Sequence, residues 1–238
     1  MRQLLLLITM VSSLAHANHG GPLPVNLDIN DLEDTGQLRG HSFGYTPNDL
    51  CSKEVLHNGV QLPHMPELYR YWYSDRIWGT PEMIQAIVTA TEEMAWRLPH
   101  VGPPIVGDIS RRHGGYLHGH RSHRSGIDAD ISIFVANSEG RHSSGFQHTT
   151  PQTMDYEANW LFWKSLLDTG LVERVFLDQS LIDAMRKYLI ENQILTEEEA
   201  LAVFPRRGTQ GLWSRTGVFQ HVSGHRNHIH LRVVCGDL

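Results

Sequence analysis

The sequence predicts an α+β fold: a small antiparallel sheet flanked by helices, in one domain. Two observations carry that reading. Segments with helical and with strand periodicity follow one another without the regular alternation of a parallel sheet. The chain of 238 residues is also long enough for one domain with a sizeable core.

The elements read as follows. Arg2, the apolar run Leu4–Leu14 and the small residues of Ala15-His16-Ala17 have the layout of a secretory signal, so residues 1–17 are expected to be cleaved, leaving a domain of residues 18–238. The alternative is an uncleaved N-terminal anchor, but the apolar run is shorter than the roughly 20 residues of a spanning helix. Asn18, which would follow the cut, is not a lipid-accepting cysteine. No later stretch is apolar enough to span a membrane. Residues 18–50, with Gly20-Gly21, Pro22, Pro24 and Gly40, read as a loop-rich arm.

Thr80-Pro81-Glu82 opens a helix with a hydroxyl cap, a proline in the first turn and an acid at the positive dipole end. Ile84, Ile87, Val88, Ala95 and Leu98 carry it to about Arg97. Residues 105–126 read as loop. Ile127–Val135 alternates as a strand, with Asp128, Asp130 and Ser132 on one face and Ile127, Ile131 and Ile133 on the other. Residues 138–150 are polar and read as a surface loop. A Trp/Leu/Phe-rich helix follows over 156–168, ended by Gly170. Next come a strand at 172–177, a helix at 180–191 and a helix opened by the capping box Thr196-Glu197-Glu198-Glu199. A Gly/Arg/Ser loop over 205–224 leads to a final strand at 228–234.

A net charge of −6 and the absence of a basic run argue against nucleic acid as a partner. The two cysteines, Cys51 and Cys235, permit one disulfide in an exported chain; two buried free thiols are the alternative.

The histidines are clustered. His113, His118, His120 and His123 lie in one stretch and His221, His225, His228 and His230 in another, so half of the sixteen histidines occupy two short segments. In a strand, residues two apart share a face, so His228 and His230 aim at one spot while Ile229, Leu231 and Val233 face the core. Gly126 allows a turn that brings His123 back beside Asp130. If the two strands are neighbours, His123, Asp130, His228 and His230 form one group. Zinc takes imidazole and carboxylate ligands, and a catalytic site keeps one position for water. For His113, His118 and His221 taken singly, the bland reading of solvated surface histidines is preferred. H-E-x-x-H, G-x-S-x-G and P-loop motifs are absent.

At these residues a resemblance emerges. Gly107-Asp108-Ile109-Ser110, Gly114-Gly115, the run His120-Arg121-Ser122-His123-Arg124-Ser125-Gly126-Ile127-Asp128-Ala129-Asp130-Ile131 and the run His225-Arg226-Asn227-His228-Ile229-His230-Leu231-Arg232-Val233 resemble the penicillin-insensitive murein endopeptidases. These belong to the wider lysostaphin / D-Ala-D-Ala peptidase / Hedgehog-like metallopeptidases, whose fold the resemblance implies. It also implies one zinc held by His123, Asp130 and His230, with His225 and His228 as active-site neighbours. The implied reaction is hydrolysis of D-alanyl–meso-diaminopimelate cross-links of peptidoglycan, in the periplasm or outside the cell. Cys51 and Cys235 stand where the family has an end-to-end bridge. His120 stands where some members use a histidine for a second metal, but Asp155 and Asn159 follow where an Asp/His pair would be needed.

Beside that resemblance, His228 is the candidate general base, since it shares a face with His230 and an unperturbed histidine titrates near ~6.5. His225 is read as an oxyanion or leaving-group partner, Asp128 as a carboxylate that orients a ligand histidine, and Arg111, Arg121 or Arg124 as partners for substrate carboxylates. The competing readings are a D,D-carboxypeptidase or dipeptidase acting on cell-wall stems, a non-catalytic metal- or wall-binding protein, and a histidine-rich metal scavenger.

Overall fold

A computed structural model describes residues 55–207 and 218–235. The expected signal segment, the arm over 18–50 and Cys51 lie outside the described residues.

The fold is α+β. Its strands are β1 (Val60–Gln61), β2 (Arg70–Tyr71), β3 (Trp78–Gly79), β4 (Ile105–Val106), β5 (Asp128–Ser132), β6 (Phe134–Asn137), β7 (Gly140–Ser143), β8 (Val172–Leu177), β9 (Phe219–His221) and β10 (His228–Val233). Four helices are described: α1 (Pro81–Arg97), α2 (Tyr156–Asp168), α3 (Gln179–Glu191) and α4 (Glu197–Val203).

The main sheet has six strands in the order β2-β4-β5-β10-β8-β9. The expected small antiparallel sheet is corrected here to a mixed one. Its centre, β4-β5-β10-β8, is antiparallel, but β2 joins β4, and β9 joins β8, in parallel. The outer strands are two or three residues long, too short for periodicity to register. The parallel β8–β9 pair needs a crossover, which α3 and α4 supply in sequence between the two strands.

Helix starts follow local chemistry. Thr80 Oγ1 accepts from the Met83 amide at 3.3 Å, with Pro81 in the first turn. Asp155 caps α2 and Asp178 caps α3 through their carboxylates. Thr196 and Glu199 form the reciprocal capping box on α4. The inner faces of α1, α2 and α3 bury Ile84, Ile87 and Met94, then Phe162, Trp163 and Leu166, then Leu181, Met185 and Leu189. They share one core with Ala129, Ile131, Ile229, Leu231 and Val233 of the sheet. Each of the larger aliphatic, Met and Phe side chains among them contributes about 1.5–3 kcal/mol on burial.

Two further corrections concern the segment after β5. The expected strand over 127–135 divides: β5 ends at Ser132 and Phe134 begins a separate ribbon. The expected surface loop over 138–150 contains β7, which pairs with β6 through Phe134↔Ser143, Val135↔His142 and Ala136↔Arg141. Its polar strand had no apolar alternation to reveal it. The division is held by Asn159, fully buried on α2. Its Oδ1 accepts from Phe134 N at 3.0 Å, and its Nδ2 donates to Phe134 O and Asp155 O, each at 2.7 Å. Asp155 itself pairs with Arg141. Both residues therefore serve the fold.

Replacing Asn159 by Ala leaves the buried Phe134 N–H without its partner. It is expected to lower unfolding free energy by about 2–4 kcal/mol, measured by urea denaturation, with divalent-metal binding retained. A loss of metal affinity with unchanged stability would contradict this assignment.

Candidate metal centre

The register of β5 and β10 builds the centre. His230 lies opposite Asp130, Arg232 opposite Asp128 and His228 opposite Ser132. Opposed residues of an antiparallel pair share a face, so this one register places Asp128, Asp130, His228, His230 and Arg232 together. His123 arrives from the loop before β5. Gly126 makes the return at φ +75°; a Cβ there would lie 3.0 Å from both Gly79 Cα and Thr80 N. The Gly126 carbonyl meanwhile accepts from Thr80 N at 3.0 Å, anchoring the loop to the start of α1.

Three ligand-type atoms converge. His123 Nε2 lies 3.3 Å from Asp130 Oδ1, His230 Nδ1 lies 3.1 Å from the same oxygen, and the two nitrogens are 3.3 Å apart. Ligands of a tetrahedral zinc at about 2.0–2.1 Å are about 3.3 Å from one another, so the triangle has the required size. The three residues are 1%, 5% and 7% exposed.

Hydrogen placement supports a cation there. His123 Nδ1 faces the Ile109 carbonyl at 3.0 Å. A carbonyl only accepts, so Nδ1 carries the hydrogen and Nε2 presents a lone pair. His230 Nε2 donates to Asp128 Oδ1 at 2.8 Å, which leaves Nδ1 of the neutral ring as a lone pair. Asp130 Oδ1 is buried and has no hydrogen-bond partner among the described residues. Two imidazole lone pairs and a carboxylate oxygen in contact repel one another unless a positive charge lies between them, either a metal ion or a proton on His230 Nδ1.

The outer partners are charged. Arg232 holds Asp128 through Nε at 2.8 Å and Nη2 at 3.0 Å. Burial opposes the charge on Asp128, yet His230 and Arg232 keep its pKa below the usual carboxylate range. Burial likewise opposes Asp130, and His123 and His230 hold it well below that range. Burial disfavours a charged His230, but the Asp128 and Asp130 carboxylates outweigh it and raise its pKa to about 9. For His228 burial dominates and lowers the pKa to about 4, so this ring is neutral at pH 7.

Four of the expected residues gather at one place: His123, Asp130, His228 and His230. His228 Nε2 lies 3.4 Å from Asp130 Oδ1. Its Nδ1 donates to Asn227 Oδ1 at 2.7 Å, so Nε2 presents its lone pair toward the centre. His225 sits next to both, with ring centroids 4.8 Å from His228 and 5.8 Å from His230. His120 approaches the other carboxylate oxygen, with Nδ1 3.6 Å from Asp130 Oδ2 and Nε2 3.0 Å from Asp108. His120, His123 and Asp130 form a cluster compatible with metal coordination. Arg121 is exposed on the same loop, while Arg124 is half-buried and its carbonyl accepts from Gly115 N at 2.9 Å. Away from the centre, His113 and His118 are exposed and His221 Nδ1 accepts from Gln179 N at 2.9 Å.

Five groups went unread as parts of the site: Asp108, the Ile109 carbonyl, Phe146, Asn227 and Arg232. Arg232 alone carried a usable signal, two residues from His230 on the same strand face.

The described helices include none long and apolar enough to cross a membrane. No curated protein matches the chain. A family model does. Its match contains His120, His123, Asp128 and Asp130 and stops before β10. The family matched over residues 50–159 is that of the penicillin-insensitive murein endopeptidases.

Proposed function

We propose that this chain is an exported zinc peptidase that hydrolyses peptide cross-links of peptidoglycan. The observation that carries the reading is the convergence of two outward-anchored imidazoles and the buried Asp130 Oδ1 in a triangle of 3.1–3.3 Å edges. The family match supports the substrate class. The signal over residues 1–17, a Cys51–Cys235 bond and a periplasmic site of action are parts of the same proposal.

His123 Nε2, Asp130 Oδ1 and His230 Nδ1 would hold the ion. They are preferred to a set containing His120, whose nitrogen stands farther off, at 3.6 Å on the second oxygen, and whose side chain is more exposed. When bound, zinc supplies a Lewis acid and acidifies a coordinated water to a pKa of about 7. The protein's own groups do the rest. Asp128, locked by Arg232, takes the Nε2 hydrogen of His230, so Nδ1 is the nitrogen that faces the centre. The Ile109 carbonyl takes the Nδ1 hydrogen of His123 in the same way, so its Nε2 faces the centre. His228 is neutral, oriented by Asn227, and takes a proton at Nε2. His225, beside it, is kept mostly neutral by burial and is placed to relay that proton to the departing amine. Arg121 and Arg124 are assigned to carboxylates of the stem peptide.

The raised pKa of His230 fixes the sign of a pH effect. Below about 9 the ring carries a proton at Nδ1, and zinc must displace it. Binding at pH 7 is therefore expected to release at least one proton. Affinity should rise at least about tenfold per pH unit up to about pH 9, the ionisation of the coordinated water steepening the rise above about pH 7. Calorimetry in buffers of different ionisation enthalpy measures the release, and zinc binding without proton release would contradict the assignment of His230.

Incubation with a defined D-alanyl–diaminopimelate cross-linked muropeptide, followed by mass spectrometry, tests the activity. Expected products are the two monomers, absent in chelator and restored by zinc. His228→Ala is expected to keep the metal and lose about 10²–10⁴-fold in rate. Release of free D-alanine alone would instead identify a carboxypeptidase, and full activity of His228→Ala would remove the base assignment.

A further inference from the structure

The His228 ring is held on two sides. Asn227 takes its Nδ1 hydrogen at 2.7 Å, which sets which nitrogen faces the centre. Phe146 lies against its flat face, with ring centroids 5.2 Å apart and planes within 15°. Nothing in the proposed chemistry uses Phe146, yet several independent features keep it there.

Its backbone has φ +65°, a left-handed conformation that a bulky residue adopts only when its surroundings demand it. The flanking chain is tied down on both sides. Ser144 N donates to Ile133 O at 2.7 Å and Ser144 Oγ to Asn227 O at 3.3 Å. Thr149 N donates to Arg226 O at 2.8 Å. The loop carrying Phe146 is thus bonded to the two residues that immediately precede His228. The phenyl ring also rests on Gly107: a Cβ there would lie 2.8 and 2.9 Å from Phe146 Cζ and Cε2. Trp72 closes the remaining side edge-on, at 4.7 Å and 66°.

We infer that Phe146 is a positioning residue, seated on Gly107 and backed by Trp72, that fixes the plane of the His228 imidazole and so aims its Nε2 at the reacting centre. The inference rests on the reading of His228 as the general base. A hydrogen bond at Nδ1 alone leaves the ring free to swing about that contact; a flat stacking partner removes that freedom. Orientation of this kind matters because a misplacement of about 1 Å in a reacting group costs as much as 10²-fold in rate.

The test uses the full chain, loaded with zinc for kinetics and metal-free for NMR. Phe146→Leu keeps apolar volume and loses the flat face; Phe146→Tyr keeps the face. Gly107→Ala pushes the ring off its seat with Phe146 still present. The expected result for Phe146→Leu is a kcat about 10–100-fold lower on the cross-linked muropeptide, with KM and zinc content unchanged, and wild-type-like kinetics for Phe146→Tyr. Gly107→Ala should reproduce the loss, and the Gly107→Ala/Phe146→Leu double variant should lose no more than either single one. Independently of activity, the carbon-bound protons of the His228 ring should show an upfield ring-current shift in wild type and Phe146→Tyr that disappears in the other two. If Phe146→Leu does not fold, the Gly107→Ala and Phe146→Tyr pair decides by the same readings. A raised KM at unchanged kcat would make Phe146 a substrate contact and overturn the inference, as would full additivity or unchanged His228 resonances. His228→Ala run alongside separates the two claims. If it stays fully active, the base reading falls and this inference with it; if it is inactive while Phe146→Leu is unimpaired, only this inference falls.

Discussion

The centre depends on the pairing of β5 with β10. Opposing His230 to Asp130 and Arg232 to Asp128 sets two charge pairs side by side on one face and leaves Ala129, Ile131, Ile229 and Leu231 for the core. A slip of one residue would turn the whole histidine and aspartate set into the hydrophobic interior. The apolar face therefore enforces the polar one. Burying Ile131, Ile229 and Leu231 completely is the same event as assembling the centre, which is why so many charges can be held in a nearly dry place.

Those charges are arranged in rings. Innermost are Asp130 and the nitrogens of His123, His228 and His230. Outside them stand groups that each determine where a hydrogen goes: the Ile109 carbonyl for His123, Asp128 for His230, Asn227 for His228 and Asp108 for His120. Arg232 and Arg76 in turn neutralise Asp128 and Asp108. A buried carboxylate is tolerated when paired and hydrogen-bonded. Asp128 is, by two guanidinium contacts and an imidazole. Asp130 Oδ1 is surrounded instead by the ring nitrogens of His123, His228 and His230, and that contrast distinguishes a structural acid from one suited to a metal.

Much of this was legible in the sequence. The helix caps at Thr80 and Thr196 act locally, as does the apolar patterning of α2 ended by Gly170, so short-range rules found the helices. His228, His230, Asp128 and Asp130 were readable because strand period 2 and the turn at Gly126 are local as well. What was not legible is non-local. β9 and the two-residue strands owe their existence to neighbours. β7 is polar, and its ribbon with β6 depends on Asn159, a buried amide that clamps the Phe134 backbone only once α2 has docked. Phe146 and Asp108 reach the site only through the tertiary fold. Arg232 falls between: its face was predictable, but its partner Asp128 follows from the register alone.

X-ray absorption on the zinc-loaded full chain tests the central claim most directly, because it counts ligands without requiring turnover. The account predicts a first shell of nitrogen and oxygen at about 2.0–2.1 Å, with outer-shell scattering from two imidazole rings. Three or more imidazoles would bring His120 or His228 into the ligand set, and sulfur at about 2.3 Å would displace the site altogether; either result would contradict it.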